Sequence, residues 1–227
     1  WEMVESRPHE EIERLSRQAQ VPYTVARILL NRGMDSPEAV DRFFNPAPSQ
    51  LYDPFLMAGM DKAVDRIVEA LQNRDRIAIY GDYDVDGITS VSMLYLFLRD
   101  LGGDVLAYIP DRQNEGYGIS IAGLDEVKKQ GAQLVISVDC GITSVSEAKY
   151  AKSLGLELII SDHHEPADEL PDALAVLDPK CKGSGYPFTE LAGVGVTFKL
   201  AQGITKTLGL AGDYAFKYID LVALGTS

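Results

Sequence analysis

Apolar residues recur at helical spacing through the first part of the chain. One helical segment spans residues 21–29, a second begins at Ser36, and a third spans residues 60–71. Residues 45–58 contain three prolines, which predict a loop between the second and third segments. The pattern therefore predicts a small helical N-terminal region over residues 1–74.

Short apolar runs alternate with amphipathic segments from residue 75 onwards. The runs have the length of buried strands, and they cover residues 77–80, 105–109, 134–138, 156–160 and 173–177. Buried strands joined by helical crossovers are typical of a parallel, doubly wound sheet. We therefore predict that residues 75–227 form an α/β domain with a mainly parallel sheet, which ends in two helices over residues 193–208 and 214–224.

Acidic residues follow four of the five predicted strands. They are Asp82, Asp84 and Asp86 after the first strand, Asp139 after the third, Asp162 after the fourth and Asp178 after the fifth. Two of the three histidines, His163 and His164, come directly after Asp162. Ligands bind at the carboxyl ends of the strands in such sheets, so we expect these side chains to meet at one site. We interpret Asp178, which precedes Pro179, as a turn former.

The composition of this predicted site indicates a divalent cation. Carboxylates that lie close together raise one another's pKa unless cations neutralise them. Several aspartates and an imidazole, without thiolate ligands, suit Mg²⁺ or Mn²⁺, and Mn²⁺ tolerates the histidine better.

The overall composition is that of an ordinary globular protein, with 46% hydrophobic and 24% charged residues among 227. A net charge of −13 repels phosphate backbones, so composition by itself argues against a nucleic-acid partner. The two cysteines are too few for a disulfide framework and suggest a reducing compartment. Since no apolar run reaches the roughly 18 residues of a membrane span and no secretory signal is visible, we expect a cytoplasmic protein without a membrane partner.

Other chemistries fit the motifs less well. Residues 82–87 match the first six positions of an EF-hand loop, but Met93 replaces the glutamate at the twelfth position and a strand precedes the loop. The glycine patterns of nucleotide-binding loops are absent. Cys140 adjoins Asp139, whose charge suppresses a thiolate, so we interpret this cysteine as a packing residue.

Three motifs, in this order, resemble those of the DHH phosphoesterase superfamily. They are Gly-Asp-Tyr-Asp-Val-Asp-Gly-Ile-Thr-Ser at 81–90, Val-Asp-Cys-Gly-Ile at 138–142 and Ser-Asp-His-His at 161–164. Within the superfamily, the chain is most similar to the RecJ family of single-strand-specific 5′→3′ DNA exonucleases, and segments 115–118 and 191–196 share this similarity. The resemblance implies metal-dependent phosphodiester hydrolysis in DNA repair and recombination.

The resemblance also implies a role for each motif residue. Asp84 and Asp86 would each hold one of two Mn²⁺ or Mg²⁺ ions, Asp82 would ligate or support the first ion, and Asp139 would bridge the pair. His163 would be a ligand oriented by Asp162. His164 would face the scissile phosphate and bind it or protonate the leaving oxygen. Two divalent ions would offset four of the negative charges, so the acidity of the site is compatible with a phosphate substrate.

Five further residues are candidates for substrate binding. Arg112 could clamp a phosphate, Tyr117 could stack on a base, and Lys199 lies on a helix whose start, with Gly193 and Gly195, could meet a DNA phosphate. Arg112, Tyr117 and Lys199 each have a structural alternative, namely a surface arginine, a tyrosine that packs its loop and a solvated lysine.

The family has a fourth metal-binding aspartate shortly after a Gly-Thr pair, which here is Gly225-Thr226, next to the last residue Ser227. We therefore expect the isolated chain to be metal-deficient and nearly inactive, and we expect further domains to grip single-stranded DNA and to contact a single-strand-binding protein and a helicase. One alternative is a DHH hydrolase of short oligonucleotides or pyrophosphate, although Tyr80 stands where those relatives begin their first motif with histidine. Another is a non-catalytic replication protein, although such relatives lose motif residues that are intact here.

Overall fold

The computed structural model describes residues 7–111 and 115–227 of the chain. The chain folds as two compact units, which divide between Tyr52 and Asp53. The sequence pattern placed the division after residue 74, because residues 53–74 share the helical character of the segments before them. In the structure, those residues belong to the unit that contains the sheet.

The first unit consists of helices packed around a small core of its own. Its elements are α1 (His9–Ala19), α2 (Tyr23–Asn31), α3 (Pro37–Phe44) and a short 3-10 helix (Pro48–Gln50). Ser36 begins α3 as predicted, since its hydroxyl accepts a hydrogen bond from the backbone N–H of Ala39. The buried apolar residues of this unit are Ile12, Leu15, Ala26, Leu29, Leu30 and Val40.

The second unit is built on a five-stranded parallel sheet with the strand order β2-β1-β3-β4-β5. Its strands are β1 (Ile77–Tyr80), β2 (Val105–Tyr108), β3 (Leu134–Val138), β4 (Glu157–Ser161) and β5 (Ala175–Leu177). Its helices are α4 (Met60–Asn73), α5 (Val85–Asp100), α6 (Ile121–Lys129), α7 (Val145–Ser153), α8 (Gly193–Thr207) and α9 (Ile219–Thr226), with 3-10 helices at Pro54–Leu56 and Tyr214–Tyr218. The predicted α/β fold with a parallel sheet is confirmed, and the segment predicted as one helix over 214–224 is a 3-10 helix followed by α9.

Helices cover both faces of the sheet. Alternate residues of a strand point to opposite faces, so Ile77 and Ile79 pack with α4, α5 and α8, whereas Ala78 and Tyr80 pack with α6 and α7. Helix α4 joins the sheet because its apolar stripe, which includes Val64 and Ile67, is fully buried in the first of these layers. That burial explains why the boundary between the two units precedes α4.

The order in which strands are added to the sheet reverses between β1 and β3. Helix α5 leads from β1 outwards to β2, and α6 returns across β1 to β3 on the other face. A crevice forms at the carboxyl ends of the two strands on either side of such a reversal. The aspartates after β1 and β3 therefore face one another across the position where this fold class binds its ligands. Within residues 7–111 and 115–227, no helix is long and apolar enough to cross a membrane.

Candidate metal centre

The loop after β1 folds tightly and presents three carboxylates. Asp84 begins α5, and its side chain accepts a hydrogen bond of 2.9 Å from the backbone N–H of Gly87. A side chain at Gly87 would lie 2.5 Å from the backbone oxygen of Asp82, so the turn requires glycine there. Asp82 is buried and Asp84 is exposed, which spreads the acidic groups from the interior to the surface of the crevice.

Asp139 occupies the centre of the crevice, directly after β3. Its backbone is left-handed, with φ at 59°, and its N–H donates to the backbone oxygen of Ser161 in the neighbouring strand. A left-handed non-glycine residue costs of order 1–3 kcal/mol, and such strain is common at functional sites. Its Oδ1 atom is buried and accepts no hydrogen bond from any described residue: His163 Nε2 lies 3.1 Å away but is not aligned as a donor.

Burial and the charges around Asp139 raise the pKa of its carboxyl group. Burial has the largest effect, the negative charges of Asp86 and Asp84 add to it, and His163 opposes it, with a resulting pKa of about 6. A carboxylate that is costly to ionise in the metal-free protein gains most from a nearby cation.

Asp162 follows β4 and organises the residues around it. Its Oδ2 atom accepts a hydrogen bond of 2.8 Å from the backbone N–H of Ile142, and its Oδ1 atom accepts one of 2.7 Å from the backbone N–H of His163. The same Oδ1 lies 2.7 Å from Nδ1 of His164. Burial opposes ionisation of Asp162, but these hydrogen bonds outweigh it and lower the pKa. An ionised carboxylate only accepts, so Nδ1 of His164 carries a proton.

The two histidines face different carboxylates. The His163 ring has Nε2 at 3.1 Å from Asp139 Oδ1 and 3.6 Å from Asp86 Oδ2, and Asp139 raises the pKa of this imidazole. Asp162 raises the pKa of His164 in the same way. We expected Asp162 to orient His163, but the structure corrects this detail: Asp162 holds the ring of His164 and only the backbone of His163.

Asp86 joins α5 to the start of α8. Its two carboxylate oxygens accept hydrogen bonds of 2.7 Å from the backbone N–H groups of Gly193 and Val194. These groups have no partner within the helix, and a carboxylate at a helix N-terminus is favoured by their orientation. Asp86, expected only as a metal ligand, therefore also fixes α8 against the crevice.

Gly193 is required by the shape of the crevice. A side chain on Gly193 would come within 2.3 Å of Asp139 Oδ1, so only glycine lets α8 approach this carboxylate. Gly193 was a candidate for binding substrate, but its N–H is bonded to Asp86. Gly195, the other candidate glycine, faces the side chain of Leu191, where an added Cβ would lie 3.3 Å from the nearest atom.

The ligand atoms form two overlapping groups. Within the part of the chain that the structure describes, one group contains Asp82, Asp84 and Asp139, and the other contains Asp139, His163 and His164. The atoms of each group lie within 4.8 Å of one another. Oxygen ligands with one or two imidazoles suit Mn²⁺ and Mg²⁺, and the buried Asp139 Oδ1 has lone pairs available for a cation. The donor set thus fits two cations that share Asp139.

The remaining candidate residues lie in different settings. Tyr117 reaches the site, since its hydroxyl is 3.1 Å from Nε2 and 3.4 Å from Nδ1 of His164. Lys199 was expected at a DNA phosphate or in solvent, but it is 3% exposed, because α8 is buried on nearly all sides, and its Nζ donates to Gln202. Burial lowers the pKa of Lys199 to about 8. Arg112 lies outside the described residues.

The sequence pattern did not reveal the hydrogen-bond network that holds the loop before α6. Glu115 accepts from the Tyr108 hydroxyl at 2.9 Å and from the Ser120 hydroxyl at 2.6 Å. Tyr80, fully buried at the end of β1, accepts from the backbone N–H of Ser120. The sequence indicates the Glu115-Gly116-Tyr117-Gly118 segment through its resemblance and predicts a role in substrate binding for Tyr117, but nothing in its pattern shows which hydroxyls Glu115 binds.

The sequence and the structure of the chain both match those of known proteins. Residues 76–226 match the model of the N-terminal domain of the DHH family. The chain is 45% identical over 226 residues to the single-stranded-DNA-specific exonuclease RecJ of Bacillus subtilis and 36% identical over 219 residues to that of Salmonella typhimurium. It also superposes on the crystal structure of Thermus thermophilus RecJ in complex with Mn²⁺, with a TM-score of 0.78, 28% identity and coverage of 97% of this chain.

The chain corresponds to a minor part of these relatives. The alignments cover 100% and 92% of this chain but only 28% of the Bacillus protein and 37% of the Salmonella protein. The superposition covers 30% of the Thermus chain.

Proposed function

The chain belongs to the DHH family, and we propose that it is the catalytic part of a metal-dependent exonuclease that hydrolyses phosphodiester bonds in single-stranded DNA. The observation that carries this proposal is the position of Asp139, a buried carboxylate shared by two groups of possible metal ligands. Its relatives are single-stranded-DNA-specific exonucleases, which supports this substrate.

The proposed ligands divide between the two groups. Asp82 and Asp84 would hold one cation and His163 the other, with Asp139 between them, and Asp86 would support the second cation while it holds α8. Mn²⁺ or Mg²⁺ bound there supplies a nucleophile near neutral pH and stabilises the charge that develops on the phosphate.

The protein's own part in the reaction is to position the phosphate and to move a proton. We assign the general-acid role to His164. Asp162 raises the pKa of this imidazole and fixes a proton on Nδ1, so Nε2 is the nitrogen that gains the second proton. When His164 is doubly protonated, Nε2 carries the proton that the leaving oxygen needs.

The same proposal extends to the setting of the reaction. We place the enzyme in the cytoplasm, in DNA repair and recombination, with 5′→3′ polarity taken from the family resemblance. A single-strand-binding protein and a helicase would be partners of the whole protein. The free thiols of Cys140 and Cys181 are compatible with a reducing compartment.

A hydrolase of pyrophosphate or short oligonucleotides is less well supported. Relatives of that kind begin the first motif with a metal-binding histidine, at the position of Tyr80. The Tyr80 hydroxyl is engaged by Ser120 and the backbone of Gly118, in the layer that packs against α6 and α7. It therefore takes no part in either group of ligands.

The test compares substrates and one matched pair of variants. The complete native protein is incubated in Mn²⁺ with end-labelled single-stranded DNA, the same sequence as a duplex, dinucleotides and pyrophosphate. We expect mononucleotides to be released from the single strand alone. Asp139→Ala should abolish this release, whereas Asp172→Asn, which removes an exposed carboxylate paired with Lys152, should leave it unchanged. Preferential hydrolysis of pyrophosphate, or full activity of Asp139→Ala, would contradict the proposal.

A further inference from the structure

A short turn that carries Tyr117 lies at one side of the crevice. Tyr117 is 56% exposed, and its hydroxyl lies beside the His164 ring, 3.1 Å from Nε2 and 3.4 Å from Nδ1. Gly116 and Gly118 on either side of it adopt positive φ, at 84° and 80°. A Cβ added to either glycine would meet no atom within 4 Å, so packing at these two positions does not hold the turn.

Glu115 attaches the start of this turn to β2 and α6. Its carboxylate accepts from the Tyr108 hydroxyl at 2.9 Å, from the Ser120 hydroxyl at 2.6 Å and from the backbone N–H of Asp111 at 3.0 Å. Burial opposes ionisation of Glu115, but these hydrogen bonds outweigh it and lower the pKa. Hydrogen bonds to an ionised acceptor are about twice as strong as neutral ones, so this carboxylate holds the start of the turn in one place.

Tyr80 attaches the other end of the turn to β1. Its hydroxyl accepts from the backbone N–H of Ser120 at 3.1 Å and donates to the backbone oxygen of Gly118 at 3.3 Å. The Tyr80 ring is fully buried and lies against the Tyr108 ring, with centroids 5.0 Å apart. A side chain at Gly123 would come within 2.9 Å of both tyrosines, so α6 needs glycine there to approach them. The turn is therefore fixed at both ends to the sheet and to α6.

From this network we propose that Glu115 is a positioning residue for the substrate, which acts by fixing the ring of Tyr117 at the crevice. A nucleotide of the single strand packs against this ring while its phosphate lies at the metal centre. Because the turn is held before the substrate arrives, binding does not have to order it. Glu115 belongs to neither group of possible metal ligands, so its part is indirect. The inference rests on the proposed function and specifies how the same site holds its substrate.

Glu115→Gln and the control Glu126→Gln test this role in the complete native protein. An amide keeps only one acceptor oxygen, so at least one donor loses its partner. The control makes the same change on α6, where the Glu126 side chain is 42% exposed and binds Gln130.

We expect Glu115→Gln to raise KM on single-stranded DNA in Mn²⁺ about tenfold, within the range for loss of one stacked base. The value of kcat should stay within about twofold, because a contact made equally with the substrate and the transition state affects KM alone. Glu126→Gln should change neither constant. A fall in kcat without a rise in KM, or an unchanged KM, would overturn the inference.

A double-mutant cycle separates this role from a general loss of structure. Tyr117→Ala should itself raise KM, and adding Glu115→Gln in that background should raise KM no further. If Glu115→Gln raises KM by the same factor in both backgrounds, Glu115 does not act through Tyr117 and the inference is overturned. If the unsubstituted protein does not hydrolyse single-stranded DNA, the proposed function itself fails, which is a separate result.

A further measurement does not depend on activity. The backbone ¹⁵N order parameters of residues 116–118 should fall in Glu115→Gln from about 0.85, the value of a rigid backbone, towards about 0.6. Tyr108→Phe keeps the carboxylate and removes one of its donors, so it should cause a smaller fall and a smaller rise in KM, and it serves if Glu115→Gln does not fold. Order parameters that are unchanged in these variants would overturn the inference.

Discussion

The two ends of the parallel sheet hold acidic residues in opposite electrostatic settings. At the amino end, Arg66 of α4 binds Asp75 at 2.8 Å and Glu157 at 2.7 Å, and Arg76 binds Asp104 at 2.9 Å. At the carboxyl end, no lysine or arginine among residues 7–111 and 115–227 forms an ion pair with Asp84, Asp86, Asp139 or Asp162. Among the residues that the structure describes, the hydrogen-bond and ion-pair partners of those four carboxylates are imidazoles and backbone N–H groups.

This difference distinguishes carboxylates that stabilise the fold through ion pairs from carboxylates that are available to bind a ligand. The arginines at the amino end already neutralise their partners, so those groups stabilise the fold as it stands. Carboxylates at the carboxyl end repel one another, and the buried oxygen of Asp139 gains a strong partner only when a cation binds. The net charge of −13 is thus a poor guide to nucleic-acid binding, because the charges in the site are the ones that cations would offset.

Asp162→Asn is expected to have the largest effect of the substitutions that test this comparison. The neutral amide no longer raises the pKa of His164 as the carboxylate does, so less of the doubly protonated imidazole that donates from Nε2 is present. We expect kcat on single-stranded DNA to fall by about 100-fold or more. The free energy of unfolding should fall by about 1–3 kcal/mol, because the amide nitrogen cannot accept from the buried N–H groups that both carboxylate oxygens bind. An unchanged kcat would show that the Asp162–His164 contact is not part of the reaction.

Arg66→Met tests the amino end. It leaves the carboxylate of Asp75, whose side chain is 13% exposed, without its basic partner, and we expect the free energy of unfolding to fall by about 2 kcal/mol. Chemical denaturation measures this loss. The Mn²⁺ affinity should stay the same, and a change in affinity as large as the loss of stability would remove the distinction between the two ends.

Gly193→Ala and Gly195→Ala form a matched pair on the first turns of α8. The first places a methyl group against Asp139 Oδ1 and should displace the carboxylate, which we expect to weaken Mn²⁺ binding about tenfold. The second meets only the flexible side chain of Leu191 and should leave binding unchanged. Calorimetric titration with Mn²⁺ compares them, and equal affinities would contradict the close approach of α8 to Asp139.

Much of the second unit could be predicted because its signals are local. Each strand is a short apolar run, and the aspartates after β1, β3 and β4 must meet at one edge once the strands are parallel. Asp82, Asp84, Asp139 and His163 lie together for that reason. The strand pattern alone predicted the positions of these residues, and the family resemblance predicted their roles.

Contacts between distant segments could not be predicted in this way. Asp86 meets Gly193, 107 residues later, only because α8 packs beside α5. The burial of Lys199 depends on the elements that surround α8, and the assignment of α4 depends on which apolar stripe meets the sheet. The contact between Tyr117 and His164 depends on a hydroxyl network that no periodicity encodes.

Thermal unfolding with and without Mn²⁺, for the unsubstituted protein and for Asp139→Asn, tests the central claim most directly. The pKa of Asp139 is raised from 3.8 to about 6 in the folded state, so the metal-free protein loses stability as the pH rises across that interval, and asparagine removes this loss. At pH 7 we therefore expect metal-free Asp139→Asn to unfold at a higher temperature than the unsubstituted protein. Mn²⁺ at about 100 times its dissociation constant should raise the unfolding temperature of the unsubstituted protein by about 5–10 °C and leave Asp139→Asn unchanged. An equal rise in both proteins, or a lower unfolding temperature for metal-free Asp139→Asn, would contradict the account.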